Sequence, residues 1–477
     1  MFSWREHWES EAGYRDFLRI AFPLILSSGA ATIQHFVDRM FLTWYSAESV
    51  AAALASAMLY WVVGGFVCGT AGYVNTFIAQ YIGAKHPERV GPVLWQGVYF
   101  SILSGLLVIP VVFWAEPFFN WVGHAPEVVA LETPYFRILC YCLLFNTAST
   151  VWSCFFTGRG ETMTILWVNL ACTLVNLVLD WIMIFGKWGC PEMGIEGAGW
   201  ATFISAVVNA ILYWILVSRK IHRAKYGILS GWRFDTALFK RFMYYGLPSG
   251  VQLGLDILSW ALFALLIGRI GTLELTITSI AFNINTLAFI PMLGCGVTVS
   301  TLVGQYLGKN QPDMANRATW TGVHLTASYM GLFAVAYLLF PDLFLEPFAW
   351  KADPTQFEQL RPMGVVILQF MAVYSLFDSL NLIFSGSLKG AGDTRFVLYL
   401  TVGLGWLLMV VPILVFCVYY DFGLYAAWAF ATLFIIVLSF CFLARFLGGK
   451  WREMRVIEPE VLPHLLPVIE SPPTEVP

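Results

Sequence analysis

Four carboxylates stand where a carboxylate is costly. Asp38, Asp180, Asp256 and Asp378 lie inside long apolar runs. Each follows a polar side chain by four positions: Gln34 before Asp38, Asn176 before Asp180, Gln252 before Asp256 and Tyr374 before Asp378. On a helix, residues four apart share a face, so each acid has a polar oxygen beside it. Hard oxygen ligands suit Na⁺ as they suit other hard cations. A carboxyl group removed from water also favours its neutral form, so such acids can carry protons. The structural alternative is that they hydrogen-bond between helices or lie near the lipid interface. One charge at mid-bilayer costs about 2.5–3.5 kcal/mol, and four cost on the order of 10–14 kcal/mol. That rivals the net stability of a whole protein and favours a functional role. A fifth such charge, Arg39, follows Asp38 directly. Adjacent residues do not share a helix face, so Arg39 is expected to reach the interface or pair elsewhere.

The elements that hold these acids follow from composition. The chain has 477 residues, of which 58% are hydrophobic and 12% charged, and its mean hydropathy is +0.71. Soluble proteins carry about 25% charged residues. This balance excludes a soluble enzyme, a nucleic-acid binder and a disordered protein. The net charge of −3 leaves no basic footprint for nucleic acid. One membrane crossing takes about 20 apolar residues, and the apolar runs predict twelve helices. The first six are Ile20–Tyr45, Val50–Ile82, Val93–Trp114, Ile138–Phe156, Met163–Phe185 and Ala198–Val217. The second six are Phe242–Ile267, Thr276–Leu307, Ala318–Leu339, Pro362–Gly386, Phe396–Tyr419 and Leu424–Leu443. The fold class is therefore an all-α membrane protein. The second and eighth spans are too long for one straight crossing and are expected to tilt or extend past the lipid.

Lys and Arg orient the chain. With the N-terminus in the cytoplasm, 21 of the 27 basic residues fall on the cytoplasmic side, Lys389 and Arg395 among them. Five, Arg137, Lys187, Arg269, Lys351 and Arg361, fall opposite, and Arg39 lies within a span. That bias puts both termini inside. The N-terminal stretch 1–16 lacks the apolar core of a cleaved signal peptide, so the first span is expected to serve as the insertion signal.

The chain also repeats itself. The segment 74–98 aligns without a gap to 299–323, 225 residues on, with nine identical positions in 25. Thr76/Thr301, Gln80/Gln305, Tyr81/Tyr306, Gly83/Gly308, Pro87/Pro312 and Trp95/Trp320 are among them, and Pro23/Pro248 keep the same offset. Later echoes, Gly160-Glu161-Thr162 with Gly392-Asp393-Thr394, drift from it. The reading is two six-helix lobes, 1–218 and 242–447, joined by a basic cytoplasmic linker, 219–241, and followed by a disordered tail, 448–477. Six crossings per lobe make the repeat parallel, and such halves place a substrate path between them. The acids divide evenly, two to each lobe.

Other features are bland. The nine cysteines form no CxxC pair or His/Cys cluster. His324 reads as a packed polar residue, and Phe118, Phe119 and Trp121 as an interface belt. Gly386, Gly390 and Gly392 read as turn chemistry. No phosphate-binding loop or hydrolase motif occurs, so ATP-driven transport and enzyme activity lack support.

The arrangement resembles the multidrug and toxic compound extrusion (MATE) family over about residues 15 to 447. The resemblance rests on FVDRMFLTWYSAESVAAALAS (36–56), QYIGAKHPERV, QYLGKNQPDMA, LVNLVLDWIMIFG (174–186), GIEGAGWAT (194–202) and FDSLNLIFSGSLKGAGDT (377–394). It implies two six-helix lobes that rock between outward-open and inward-open states while exchanging Na⁺ or H⁺ for organic cations. Position by position, it implies a first-lobe cation site of Asp38, Asn176, Asp180 and Thr202. It implies a second-lobe site of Asp256, Tyr374 and Asp378, as in the NorM-like branch, where Glu is common at the position of Asp256. Na⁺ is expected at either Asp256, Tyr374 and Asp378 or Asp38, Asn176 and Asp180. Gln34, Gln252 and Asn283 are expected to line the substrate cavity.

The function expected is a secondary antiporter exporting cationic or amphiphilic small molecules in exchange for Na⁺ or H⁺. No cofactor and no nucleic acid are expected; the partners are the substrate and the lipid bilayer. The expected setting is a monomer in the bacterial inner membrane. The rival reading, a flippase for a lipid-linked precursor, wants a basic cavity for an anionic headgroup. Four intramembrane acids against one Arg oppose it.

Overall fold

The computed structural model describes residues 8–123, 125–349 and 354–459. Twelve helices among them are long and apolar enough to cross a membrane. The first lobe holds α1 (Tyr14–Tyr45), α2 (Ala47–Ala71), α3 (Val74–Gly83), α4 (Val90–Val122), α5 (Pro126–Thr157), α6 (Met163–Ile184) and α7 (Gly194–Val217). A short α8 (Lys220–Tyr226) follows in the linker. The second lobe holds α9 (Thr236–Ile270), α10 (Thr272–Gly308), α11 (Pro312–Leu339), α12 (Pro341–Ala349), α13 (Pro354–Ala391), α14 (Thr394–Leu404) and α15 (Gly423–Leu447). Arg5, Lys351 and residues 460–477, which enter the expected orientation and tail, lie outside the described residues.

Local chemistry sets the ends and breaks. Ser46 caps α2 by accepting from the Ser49 N–H at 3.0 Å. Asp235 caps α9, accepting from Ala237 N at 2.9 Å and Leu238 N at 3.0 Å. The linker expected over 219–241 therefore ends early, because α9 begins at Thr236. The long second span breaks at Gly72–Tyr73 into α2 and α3, whereas the long eighth span runs unbroken as α10. Pro412 brings no N–H, and π-helical turns Gly405–Val410 and Ile413–Tyr419 surround it.

The fourth span starts at Pro126, well before the expected Ile138. Glu132 and Arg137 interrupt the apolar pattern without ending the helix. Glu132 is fully buried, and Arg137 turns its Nε to the Val112 carbonyl at 3.3 Å.

The lobes meet along α2–α9, α1–α10 and α3–α10. Glycine makes this possible. A Cβ on Gly83 would lie 2.0 Å from the Gln305 carbonyl oxygen, and one on its repeat mate Gly308 would lie 2.1 Å from that of Gln80. The repeated glutamines exchange equivalent bonds across the boundary. Gln80 Nε2 donates to Gly390 O at 3.0 Å, and Gln305 Nε2 donates to Gly158 O at 2.8 Å. The repeated motif is thus the contact by which the lobes hold each other.

Several expectations need correction. Gly386 and Gly390 are helical residues of α13, where a Cβ would meet the Gly296 carbonyl at 2.8 Å and the Ser300 carbonyl at 2.6 Å. Only Gly392, at φ +114°, is a turn glycine. Phe119 is buried against Phe136 at 5.8 Å between ring centroids, so of the aromatic trio it belongs to the core. The tail is folded as far as it is described. Trp451 stacks on Phe446 at 4.8 Å, Val456 N donates to Gln80 Oε1 at 2.9 Å, and Tyr81 OH donates to Glu458 Oε2 at 2.7 Å. His324, expected to be packed, is exposed, with its Nδ1 3.2 Å from the Tyr14 hydroxyl.

Candidate cation sites in the two lobes

In the first lobe, α1 carries Gln34 and Asp38 while α6 carries Thr173, Asn176 and Asp180. Asn176 and Asp180 are fully buried. With the Asn176 nitrogen turned toward the acids, it donates to Asp180 Oδ2 at 3.1 Å and Asp38 Oδ1 at 3.2 Å. Gln34 Nε2 lies 2.8 Å from the same amide, and Thr173 Oγ1 donates to Gln34 Oε1 at 3.3 Å. The two carboxyl groups are themselves within hydrogen-bonding reach of each other. Like charges that close repel, and a cation or a shared proton relieves the repulsion. Among the described residues Asp180 Oδ1 is buried without a hydrogen-bond partner, which is an acceptor left over for a ligand.

A cavity of about 490 Å³ opens beside this cluster, bordered by Gln34, Asp38, Tyr60, Asn146, Asn169 and Tyr213 among others. Thr202, expected in the first-lobe cation site, stands in the cavity wall, and among the described residues it hydrogen-bonds neither acid. Two residues passed over by the sequence reading also border it. His35 lies edge-on to Trp61 at 5.8 Å, and Tyr135 faces the acids from α5. The signal for His35 was its position three residues before Asp38, which puts both on one face. Arg39 is exposed and shares the cavity wall.

In the second lobe, α9 brings Gln252 and Asp256 opposite Tyr374 and Asp378 on α13. Asp378 is buried and accepts from Asn381 Nδ2 at 3.2 Å; the Tyr374 hydroxyl is also in reach. Asp256 has no hydrogen bond among the described residues and interacts electrostatically with Asp378 and Lys389. Lys389 was expected in a cytoplasmic loop. It is helical instead, and its Nζ donates to Gln252 Oε1 at 2.5 Å. The misplacement follows from taking Gly386 and Gly390 as the end of the helix. Asn283, expected to line the substrate cavity, lies on α10. It is exposed and donates to Ser279 O, one turn back, at 2.8 Å, while its neighbour Asn285 is buried with Ser375 at 3.4 Å.

Residues 23–182 and 248–415 each match the family model described as MatE. The chain belongs to the MatE family. The two matches begin at 23 and 248, the same 225-residue offset read from the repeat. A probable multidrug resistance protein NorM of Thermotoga maritima is 24% identical over 449 residues, covering 94% of this chain and 95% of that protein. The NorM relative of Rhizobium meliloti is 27% identical over 90% of this chain and 88% of its own length. Among solved structures, an outward-facing multidrug resistance MATE family transporter of the MOP superfamily aligns with a TM-score of 0.82 at 18% identity, covering 95% of this chain and all of that one. A MOP superfamily transporter from Pyrococcus furiosus, described as having a binding pocket of reversed polarity that suggests a different function, aligns with a TM-score of 0.83 at 18% identity over 95% of this chain. This MatE chain shares their fold, two lobes of six spans; its own four acids lie two to each lobe.

Proposed function

We propose that the protein is a multidrug efflux antiporter, not an enzyme, that expels organic cations in exchange for Na⁺ or H⁺. The observation that carries this reading is a pair of intramembrane carboxylates on facing helices in each lobe, with acceptors left open. Among the described residues, Asp180 Oδ1 is buried and unpartnered and Asp256 lacks a hydrogen bond. Relatives named as multidrug resistance proteins support the substrate class. A coupling cation and a cationic drug compete for the same negative charge, and a ligand shifts a conformational balance only through such differential affinity.

With the basic loops in the cytoplasm of a bacterial inner-membrane protein, the ends that carry Gly83 and Gly308 are the cytoplasmic ends. The lobes touch there, so this is the outward-facing arrangement. Inward opening separates the Gln80–Gly390 and Gln305–Gly158 contacts. The protein works as a monomer because each chain contains both lobes. Asp38, Asn176 and Asp180 with Thr202 form one cation or proton site; Asp256, Tyr374 and Asp378 form the other. Gln34 and Gln252 border the path of the drug. A lipid-linked headgroup is a poorer fit, since the acids would repel it.

Proteoliposomes with separately imposed Na⁺ and pH gradients test the reading. Uptake or release of ethidium driven by at least one gradient is the expected outcome. Ethidium flux that ignores both gradients overturns antiport.

A further inference from the structure

The polar stripe on α13 continues past Asp378. Tyr374, Asp378, Asn381, Ser385 and Lys389 follow at spacings of four, three, four and four residues, which is one face of a helix. Side chains on a helix lean toward its N-terminus, so the Lys389 stem points back along α13 toward the acids. Its ammonium rests on the neutral amide of Gln252, itself almost fully buried. Asp256 lies one turn along α9 on the same face and within electrostatic reach of that ammonium. An ammonium gains more from a carboxylate than from an amide. Among the described residues Lys389 nevertheless forms no ion pair.

The backbone around Lys389 is held by the opposite lobe. Tyr73 OH donates to the Lys389 carbonyl at 2.7 Å, and Gln80 Nε2 donates to the Gly390 carbonyl at 3.0 Å. Both contacts belong to the boundary that must part when the lobes rock. The lysine is therefore fixed by the first lobe and aimed at the acids of the second.

We propose that Lys389 is a tethered cation that competes with the transported cation for Asp256. While the lobes are closed around Tyr73 and Gln80, its ammonium stays on Gln252 and leaves Asp256 to the incoming ion. When that boundary parts, the released lysine reaches Asp256 and drives the ion off toward the cytoplasm. The proposal rests on the second-lobe acids being a cation site.

Binding of ²²Na⁺ and of tetraphenylphosphonium to the purified full-length protein tests it. Replacing Lys389 by Met removes a positive charge beside the site, so binding of the probe that uses Asp256 tightens about tenfold or more. Lys389→Gln, which keeps a polar side chain, gives the same gain if the Met variant folds poorly. Lys389→Arg stays near the parent because it keeps the charge. The gain disappears in an Asp256→Asn background. Unchanged binding in Lys389→Met and Lys389→Gln, while Asp256→Asn loses binding, overturns the role of Lys389 alone. Equal weakening in the Met, Gln and Arg variants marks a structural lysine and also overturns it. If Asp256→Asn and Asp378→Asn leave both probes bound as before, the second-lobe site itself is wrong.

Discussion

In the first lobe Asp38 and Asp180 face each other in contact, with Asn176 bridging them. In the second lobe Asp256 and Asp378 interact only electrostatically; Tyr374 and Asn381 attend one, and Lys389 lies near the other. The frame around them is the same in both lobes: a repeat offset of 225 residues, the Gly83/Gly308 crossing and the reciprocal Gln80 and Gln305 bonds. Duplication preserved the contacts by which each half moves against the other, and the site chemistry diverged. Two carboxyls in contact suit one shared proton. Two separated carboxyls with phenol and amide oxygens suit a bound metal cation.

The largest expected effects test what the lobes share. Gly83→Val and Gly308→Val each drive a side chain into a backbone oxygen, so both should abolish dye efflux to the level of cells lacking the protein. Efflux from cells loaded with ethidium, at matched expression, measures this. Loss in one variant but not the other would show that the crossing is not symmetric in function.

Next come the acids. Asp38→Asn and Asp180→Asn should remove the response of proteoliposomes to an imposed pH gradient by about tenfold or more, while an imposed Na⁺ gradient still drives ethidium. Asp256→Asn and Asp378→Asn should do the reverse. If all four variants lose both responses equally, the division of labour between lobes is wrong.

A smaller change isolates the bridge. Asn176→Leu keeps the volume and deletes the donor between Asp38 and Asp180. Transport driven by a pH gradient should fall several-fold, and Asn176→Gln should recover little, because its longer stem cannot hold the same position. Asn381→Leu in the second lobe is the matched control and should leave that response near the parent.

The smallest effect on transport lies in the folded tail. Trp451 is buried and stacked on Phe446, and its Nε1 donates to the Phe446 carbonyl at 2.8 Å. Trp451→Ala should destabilise the protein by about 3–5 kcal/mol, read as a lower melting temperature in detergent. Residual transport at low temperature should respond to the two gradients in the parent's proportion, because the tail touches neither acid pair.

The amino-acid sequence by itself determined the crossings, the duplication and the four acids. These are one-dimensional signals: an apolar run long enough for a bilayer, a fixed offset, and a charge where solvation forbids one. The i, i+4 spacing also placed Gln34, Asn176, Gln252 and Tyr374 on the same helix faces as the acids. Tertiary structure alone decided which acids touch, because Asp38 on α1 and Asp180 on α6 are 142 residues apart in sequence yet their helices pack side by side. It also decided the fate of charges that look external. Glu132, Lys389 and residues 448–459 sit in polar or glycine-rich sequence and read as loop or tail, yet all three are packed. Burial of a polar group depends on the partner that satisfies it, and that partner comes from another helix: Gln252 for Lys389, and Gln80 for the backbone of Val456. Local composition cannot reveal it.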